Sequence, residues 1–120
     1  MQSTALVRTE HLNHYGRLFG GQLLRWVDEF AWIAATRDFP ASRFVTRAMD
    51  KVEFRHQVKN GEILTFDVHR SGCGRSSVRY QVTVRAQSPA ENMEERQVFS
   101  TEVVFAAVDE NGRKAMISRK

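Results

Sequence analysis

The sequence predicts an α+β domain in which one long helix packs against one antiparallel sheet. Three observations carry that expectation. Apolar residues recur at helical spacing between Phe19 and Phe39. The stretches that follow alternate apolar and polar residues with the period of a strand. Gly- and Asn-containing turn signals separate those stretches.

Taken in chain order, a short strand around Ala5 to Arg8 precedes the helix. In the helix, Leu23, Val27, Phe30, Ala31 and Ala34 form the repeating apolar face, and Leu24, Trp26, Ile33 and Ala35 add apolar surface around it. A helix apolar on most sides is enclosed by other structure. Gly20-Gly21 marks its start, and Pro40 lies just past its end. Phe44 to Phe54 is rich in β-branched and aromatic positions and reads as a strand, closed by the turn signal Asn60-Gly61. Leu64, Phe66 and Val68 then alternate with Thr65, Asp67 and His69, and Ser71-Gly72-Cys73-Gly74 reads as a second turn. Val78, Tyr80, Val82, Val84 and Ala86 face one side of the next strand; Arg79, Gln81, Thr83 and Arg85 face the other. Ser88 to Glu95 is polar and loop-like. Val98 to Val108 is the last strand, apolar on both faces in its second half, and Asp109-Glu110-Asn111-Gly112 ends it. One helix covers only one face of such a sheet, so dimerisation is the expected way to cover what is left bare.

Composition narrows the class. A chain of 120 residues is the size of a single domain, read here as spanning 1–120. With 42% hydrophobic and 27% charged residues it is not a disordered chain. No apolar run reaches the roughly 18 residues of a membrane-spanning helix, so no membrane insertion is expected. Met1 to Glu10 lacks a signal peptide's apolar core, which points to the cytoplasm. The single cysteine, Cys73, excludes an intrachain disulfide and a cysteine-rich zinc site. The net charge of +4 favours anionic partners. Yet Arg37, Arg43, Arg47, Arg55, Arg70, Arg75, Arg79 and Arg85 are scattered, so nucleic acid is not an expected partner. His11 and His14 lack the further clustered ligands a metal needs, and no Gly-x-Ser-x-Gly elbow is present.

Two features of the helix can carry chemistry. Gly20 and Gly21 offer bare backbone N–H groups at the positive end of the helix dipole, where a developing oxyanion is stabilised. They also fit a purely structural role, close packing of helix on sheet. Asp28 is a carboxylate on a largely apolar helix. It can activate water, attack an electrophile directly, or simply be solvated beside Glu29. The eight residues between Gly20 and Asp28 amount to about 12 Å along one helix. Both groups must come within roughly 3 Å of a reacting centre to act together. Two helices packed antiparallel across a two-fold axis can bring Gly20 of one chain to Asp28 of another, giving two shared sites per dimer.

The run Asn13-His14-Tyr15-Gly16-Arg17-Leu18-Phe19-Gly20-Gly21, followed by Leu23-Leu24-Arg25-Trp26-Val27-Asp28, resembles the opening of bacterial acyl-CoA thioesterases with the hotdog fold. Val45-Thr46, the Phe54-to-Gly61 stretch, Gly74-Arg75-Ser76-Ser77 and Phe105 to Gly112 match that pattern in order, over roughly residues 11 to 112. The resemblance implies a single hotdog domain, a long central helix wrapped by an antiparallel sheet, that hydrolyses acyl-CoA to a fatty acid and CoA. It implies catalytic roles for Asp28, Asn13, Gly20 and Gly21, with Asn13 positioning water or the substrate carbonyl opposite the partner chain's Asp28. It assigns substrate contacts to Arg75, Ser76, Ser77 and Thr46. It implies a homodimer, with trimers of dimers as a further step, and no cofactor, because coenzyme A is part of substrate and product. Similar proteins commonly carry a proline where this chain has Gln57. Two other classes remain: a non-catalytic acyl-CoA-binding module, and a hotdog hydratase or dehydratase. The latter usually pairs a histidine with an acid near the helix, and no histidine falls within Phe19 to Phe39.

Overall fold

The structure is a computed structural model and describes residues 1–119. Its elements are β1 (Gln2–Leu6), α1 (Gly20–Asp38), β2 (Arg43–Phe54), β3 (Ile63–Cys73), β4 (Ser77–Gln87) and β5 (Glu95–Val108), with single 3-10 turns at Thr9–His11 and Pro89–Glu91. The strands form one five-stranded sheet in the order β1-β3-β4-β5-β2. Every pairing is antiparallel. The α+β layer expected from the sequence is therefore present, with the helix between Phe19 and Phe39 as its caps.

The helix buries Leu23, Val27, Ala31, Ala34 and Ala35 against the sheet. Three of those five are alanines, which let the helix backbone lie close to the strands, while Phe30 and Trp26 reach over to the Phe66 ring, with centroids at 4.9 and 6.2 Å. Strand β4 alternates buried and half-buried residues without a break, so Val78, Tyr80, Val82, Val84 and Ala86 form the centre of the core. Tyr80 is almost wholly buried and satisfies its hydroxyl by donating to Asp38 at the helix C-terminus, 2.7 Å away. On the opposite face of the sheet the scattered arginines meet acids: Arg79 bonds Asp50 and Glu102, and Arg85 bonds Asp67.

Three boundaries differ from the sequence reading. The first strand is Gln2–Leu6, not Ala5 to Arg8, because its register with β3 runs from Gln2↔Asp67 to Leu6↔Ile63. Val7 is buried just beyond the strand end. The segment Ser71-Gly72-Cys73-Gly74 is not a turn. Strand β3 runs through Cys73, with a register shift between Arg70 and Gly72, and the chain turns afterwards, where the Gly74 N–H bonds the Ser77 carbonyl at 2.8 Å. A glycine at a bulge mimics a turn signal in sequence, although the ladder continues past it. Strand β5 begins at Glu95 rather than Val98, since its polar first residues pair with Gln87, Ala86 and Arg85.

Strand β2 is the edge strand that bears most on function. Its register shifts twice, between Thr46 and Ala48 and between Asp50 and Glu53. At the second shift Lys51 takes a left-handed conformation (φ 53°), and the Thr101 hydroxyl donates to the Asp50 carbonyl at 2.7 Å. The loop after β2 is tied down by Glu62, whose side chain is only 3% exposed and pairs with Arg96. Burial alone would raise the Glu62 carboxyl, but hydrogen bonds from Arg96 and the Lys59 N–H, with the Arg96 charge, outweigh it and hold the group below its ordinary value of 4.5. A carboxyl depressed in the fold contributes stability that is complete above the unfolded value and is lost as pH falls through the folded one. The melting temperature is thus expected to drop as pH goes from about 5 to about 3, and Glu62→Gln to flatten that acid slope. Melting series on both proteins at constant ionic strength check this; identical slopes would contradict it.

Candidate active site

Helix α1 opens without a side-chain cap. Phe19 is the N-cap, and its carbonyl accepts from the Gln22 and Leu23 N–H groups at 3.0 and 3.2 Å. That leaves the Gly20 and Gly21 N–H groups as first-turn donors with no acceptor among the described residues. The two glycines differ in what their surroundings demand. A Cβ on Gly20 would lie 3.7 Å from the Phe54 ring, an ordinary contact, so packing does not require glycine there. A Cβ on Gly21 would lie 3.0 Å from the ring of Phe19, an exposed side chain that would have to shift to admit it.

Gly20 also borders an open groove of about 270 Å³, together with Leu18, Leu23, Phe54 and the loop residues Arg55 to Val58. The groove lies between the helix N-terminus and the segment leaving β2. His56 is part of its wall.

Asp28 lies two turns further along α1. It is half-buried, and its Oδ1 accepts a hydrogen bond from the Thr46 hydroxyl of β2 at 2.5 Å. The neighbouring Glu29 is exposed. Asp28 is therefore a carboxylate oriented by a hydroxyl, not a freely solvated helix residue. Thr46, expected to contact substrate, also holds Asp28. The strand pleat explains this: Phe44 and Thr46 share the face of β2 that looks toward the helix, and the Trp32 indole N–H, one turn past Asp28, donates to the Phe44 carbonyl at 3.3 Å.

Asn13 sits in the loop before the helix. Its Oδ1 accepts from the Tyr15 and Arg17 N–H groups at 2.9 and 3.1 Å, which closes a tight turn around Gly16 (φ 77°). The backbone-capping role thus occupies the side-chain oxygen, while its amide NH₂ has no acceptor among the described residues.

Arg75, Ser76 and Ser77, expected to contact substrate, lie toward the other end of β2. Ser76 lines a groove of about 240 Å³ with Ala106, Ala107, Val108, Arg47 and Lys114. Ser77 starts β4 opposite Ala106, and Arg75 is exposed in the turn. Arg47 and Lys114 were not singled out in the sequence. Arg47 is the extra residue at the first β2 register shift, between Thr46↔Phe105 and Ala48↔Val104. A bulge re-aims a side chain in a way that strict alternation does not anticipate. The structure therefore brings Thr46 to Asp28 and Ser76 to two cations, but leaves Gly20 and Asp28 two helical turns apart within one chain.

A single long helix on a five-stranded antiparallel sheet defines the hotdog architecture. The chain belongs to the Thioesterase superfamily, whose pattern matches residues 15–92. It is 33% identical over 113 residues to the acetyl-coenzyme A thioesterase of Mus musculus, a match covering 92% of this chain and 20% of that one. It thus spans about a fifth of the length of the curated relatives it matches first. A hexameric hotdog-fold thioesterase of Campylobacter jejuni has a TM-score of 0.87 at 30% identity, over 97% of this chain and 88% of that one. An acyl-CoA hydrolase of Staphylococcus aureus, solved with butyryl coenzyme A and coenzyme A, has a TM-score of 0.87 at 27% identity, over 99% and 71%. The Staphylococcus aureus protein has also been solved with alanine replacing an asparagine and an aspartate fifteen positions apart, and a threonine seventeen positions after that aspartate. Here Asn13 precedes Asp28 by fifteen positions and Thr46 follows it by eighteen. No helix among the described residues is long and apolar enough to cross a membrane.

Proposed function

We propose that this protein is a cytoplasmic acyl-CoA thioesterase that adds water to the thioester and releases a fatty acid and CoA. The observation that carries the reading is the Asp28–Thr46 contact on a helix whose first amide, Gly20 N–H, is unpartnered. The Gly20 amide polarises the thioester carbonyl and stabilises the tetrahedral oxyanion. Asp28 takes the proton of the attacking water, or attacks the carbonyl itself to give an anhydride that water then opens. The Asn13 amide NH₂ orients water or carbonyl. On collapse the sulfur leaves as CoA thiolate and is protonated. Ser76, with Arg47 and Lys114 beside it, suits the phosphates of CoA, and Arg75 and Ser77 flank that groove.

The shared site supports a homodimer. Edge strand β2 leaves Val45, Val52 and Phe54 exposed, and Phe19 at the helix start is exposed as well. A long apolar edge of this kind pairs with a second copy. The hexameric Campylobacter jejuni structure supports further assembly into a trimer of dimers. No cofactor is required, since CoA enters with the substrate.

The test is release of free thiol from short, medium and long acyl-CoAs. Stoichiometric thiol with at least one chain length is expected. Binding of acyl-CoA without thiol release would leave a binding module. Hydration or dehydration of the acyl chain without thiol release would mark the hydratase class.

A further inference from the structure

The loop that walls the groove beside Gly20 is held from behind by a pair that does not touch the groove. Arg96 of β5 is half-buried. Its Nη1 donates to Glu62 Oε1 at 2.6 Å, and its Nη2 donates both to Glu62 Oε2 at 3.0 Å and to the Gln57 carbonyl at 3.1 Å. The nearly inaccessible Glu62 also accepts the Lys59 N–H at 2.7 Å. Gln57 is gripped a second time, by Arg17 Nε on its side-chain oxygen at 3.1 Å. The next residue, Val58, accepts the Leu18 N–H at 2.7 Å, two residues before Gly20. Hydrogen bonds thus run from Glu62 through Arg96 to Gln57, and from Val58, the next residue in the chain, to the turn that opens the helix. Arg55, His56, Gln57 and Val58 line the groove; Arg96 and Glu62 do not.

The geometry points to Arg96 as a positioning residue that, oriented by buried Glu62, holds the Gln57–Val58 wall against the helix start and so sets the affinity for the acyl thioester. This rests on the thioesterase reading above. The planar guanidinium is needed because one group must fork across a carboxylate and a carbonyl at once; an ammonium is a point charge and cannot do both in that plane. Releasing the Gln57 carbonyl lets the wall move while Asp28 and Thr46, on other segments, stay in place.

The experiment measures kcat, KM and melting temperature for wild type and Arg96→Lys, using the acyl-CoA that the wild type cleaves fastest. KM is expected to rise about tenfold with kcat within about twofold, the pattern of lost substrate binding. A fall in the folded fraction lowers apparent kcat and leaves KM alone, so the KM rise separates positioning from mere structure. The doubly neutral variant Glu62→Gln with Arg96→Gln leaves no buried charge unpaired yet also frees Gln57, and is expected to raise KM equally. It decides the matter if Arg96→Lys does not fold. Arg85→Lys, which alters ion pairs with Asp67 and Glu95, none of them lining the groove, serves as the control and should leave KM unchanged. An unchanged KM in the folded Arg96 variants, or an equal rise in Arg85→Lys, overturns the inference. A wild type that releases no thiol overturns the thioesterase reading itself, and this inference with it.

Discussion

Asp28→Asn is expected to fold and assemble like the wild type while hydrolysing acyl-CoA at least about a hundredfold more slowly, the usual scale for losing a general base. The structural argument for unchanged folding is local. Asp28 is half-buried, and its one polar partner among the described residues is the Thr46 hydroxyl. An asparagine can present its amide oxygen to that same hydroxyl with nearly the same volume, so neither a cavity nor an unpaired buried group is created. What disappears is the ability to take a proton from water or to form an anhydride. The loss should therefore appear in kcat, with the melting temperature close to that of the wild type. Turnover within about tenfold of wild type, in a variant with a normal melting curve, would remove Asp28 from the mechanism.

Mixed assemblies test where the site lies. In Asn13→Asp the side chain keeps the oxygen that closes the turn on Tyr15 and Arg17 but loses the NH₂ proposed to orient water or substrate. Alone it is expected to be nearly inactive, as is Asp28→Asn. If each site takes Asn13 from one chain and Asp28 from the other, a mixed dimer has one intact site and one with both defects. Equal amounts unfolded and refolded together give half mixed dimers, so about a quarter of wild-type activity should return. A site built within one chain predicts no recovery at all. The distance along the helix favours the shared arrangement: eight residues between Gly20 and Asp28 amount to about 12 Å, too far for one carbonyl to meet both on the same rod.

The parts of this fold that were legible in advance are those written in local periodicity. Helix α1 was bracketed by Phe19 and Phe39, and the structure makes those residues its caps. Strand β4 shows in its burial the alternation visible in its letters. The boundaries that moved are those where local chemistry imitates something else. Gly72 at a bulge looks like a turn, and Val7 beyond the end of β1 looks like part of a strand. Among the site residues, Asp28 stood out as an acid on an apolar helix. That Gly20 borders the groove beside Phe54 needed the tertiary structure.

By itself, then, the order of residues determined the element sequence and the helix ends, because each depends on neighbours within a few positions along the chain. Only the tertiary structure decided that Thr46 holds Asp28, that Arg47 and Lys114 join Ser76, and that Glu62 and Arg96 lock the loop beside Gly20. Those contacts join residues far apart in the chain. They are set by strand register, and a bulge that inserts a single residue, as at Arg47 in β2, changes where the side chains point.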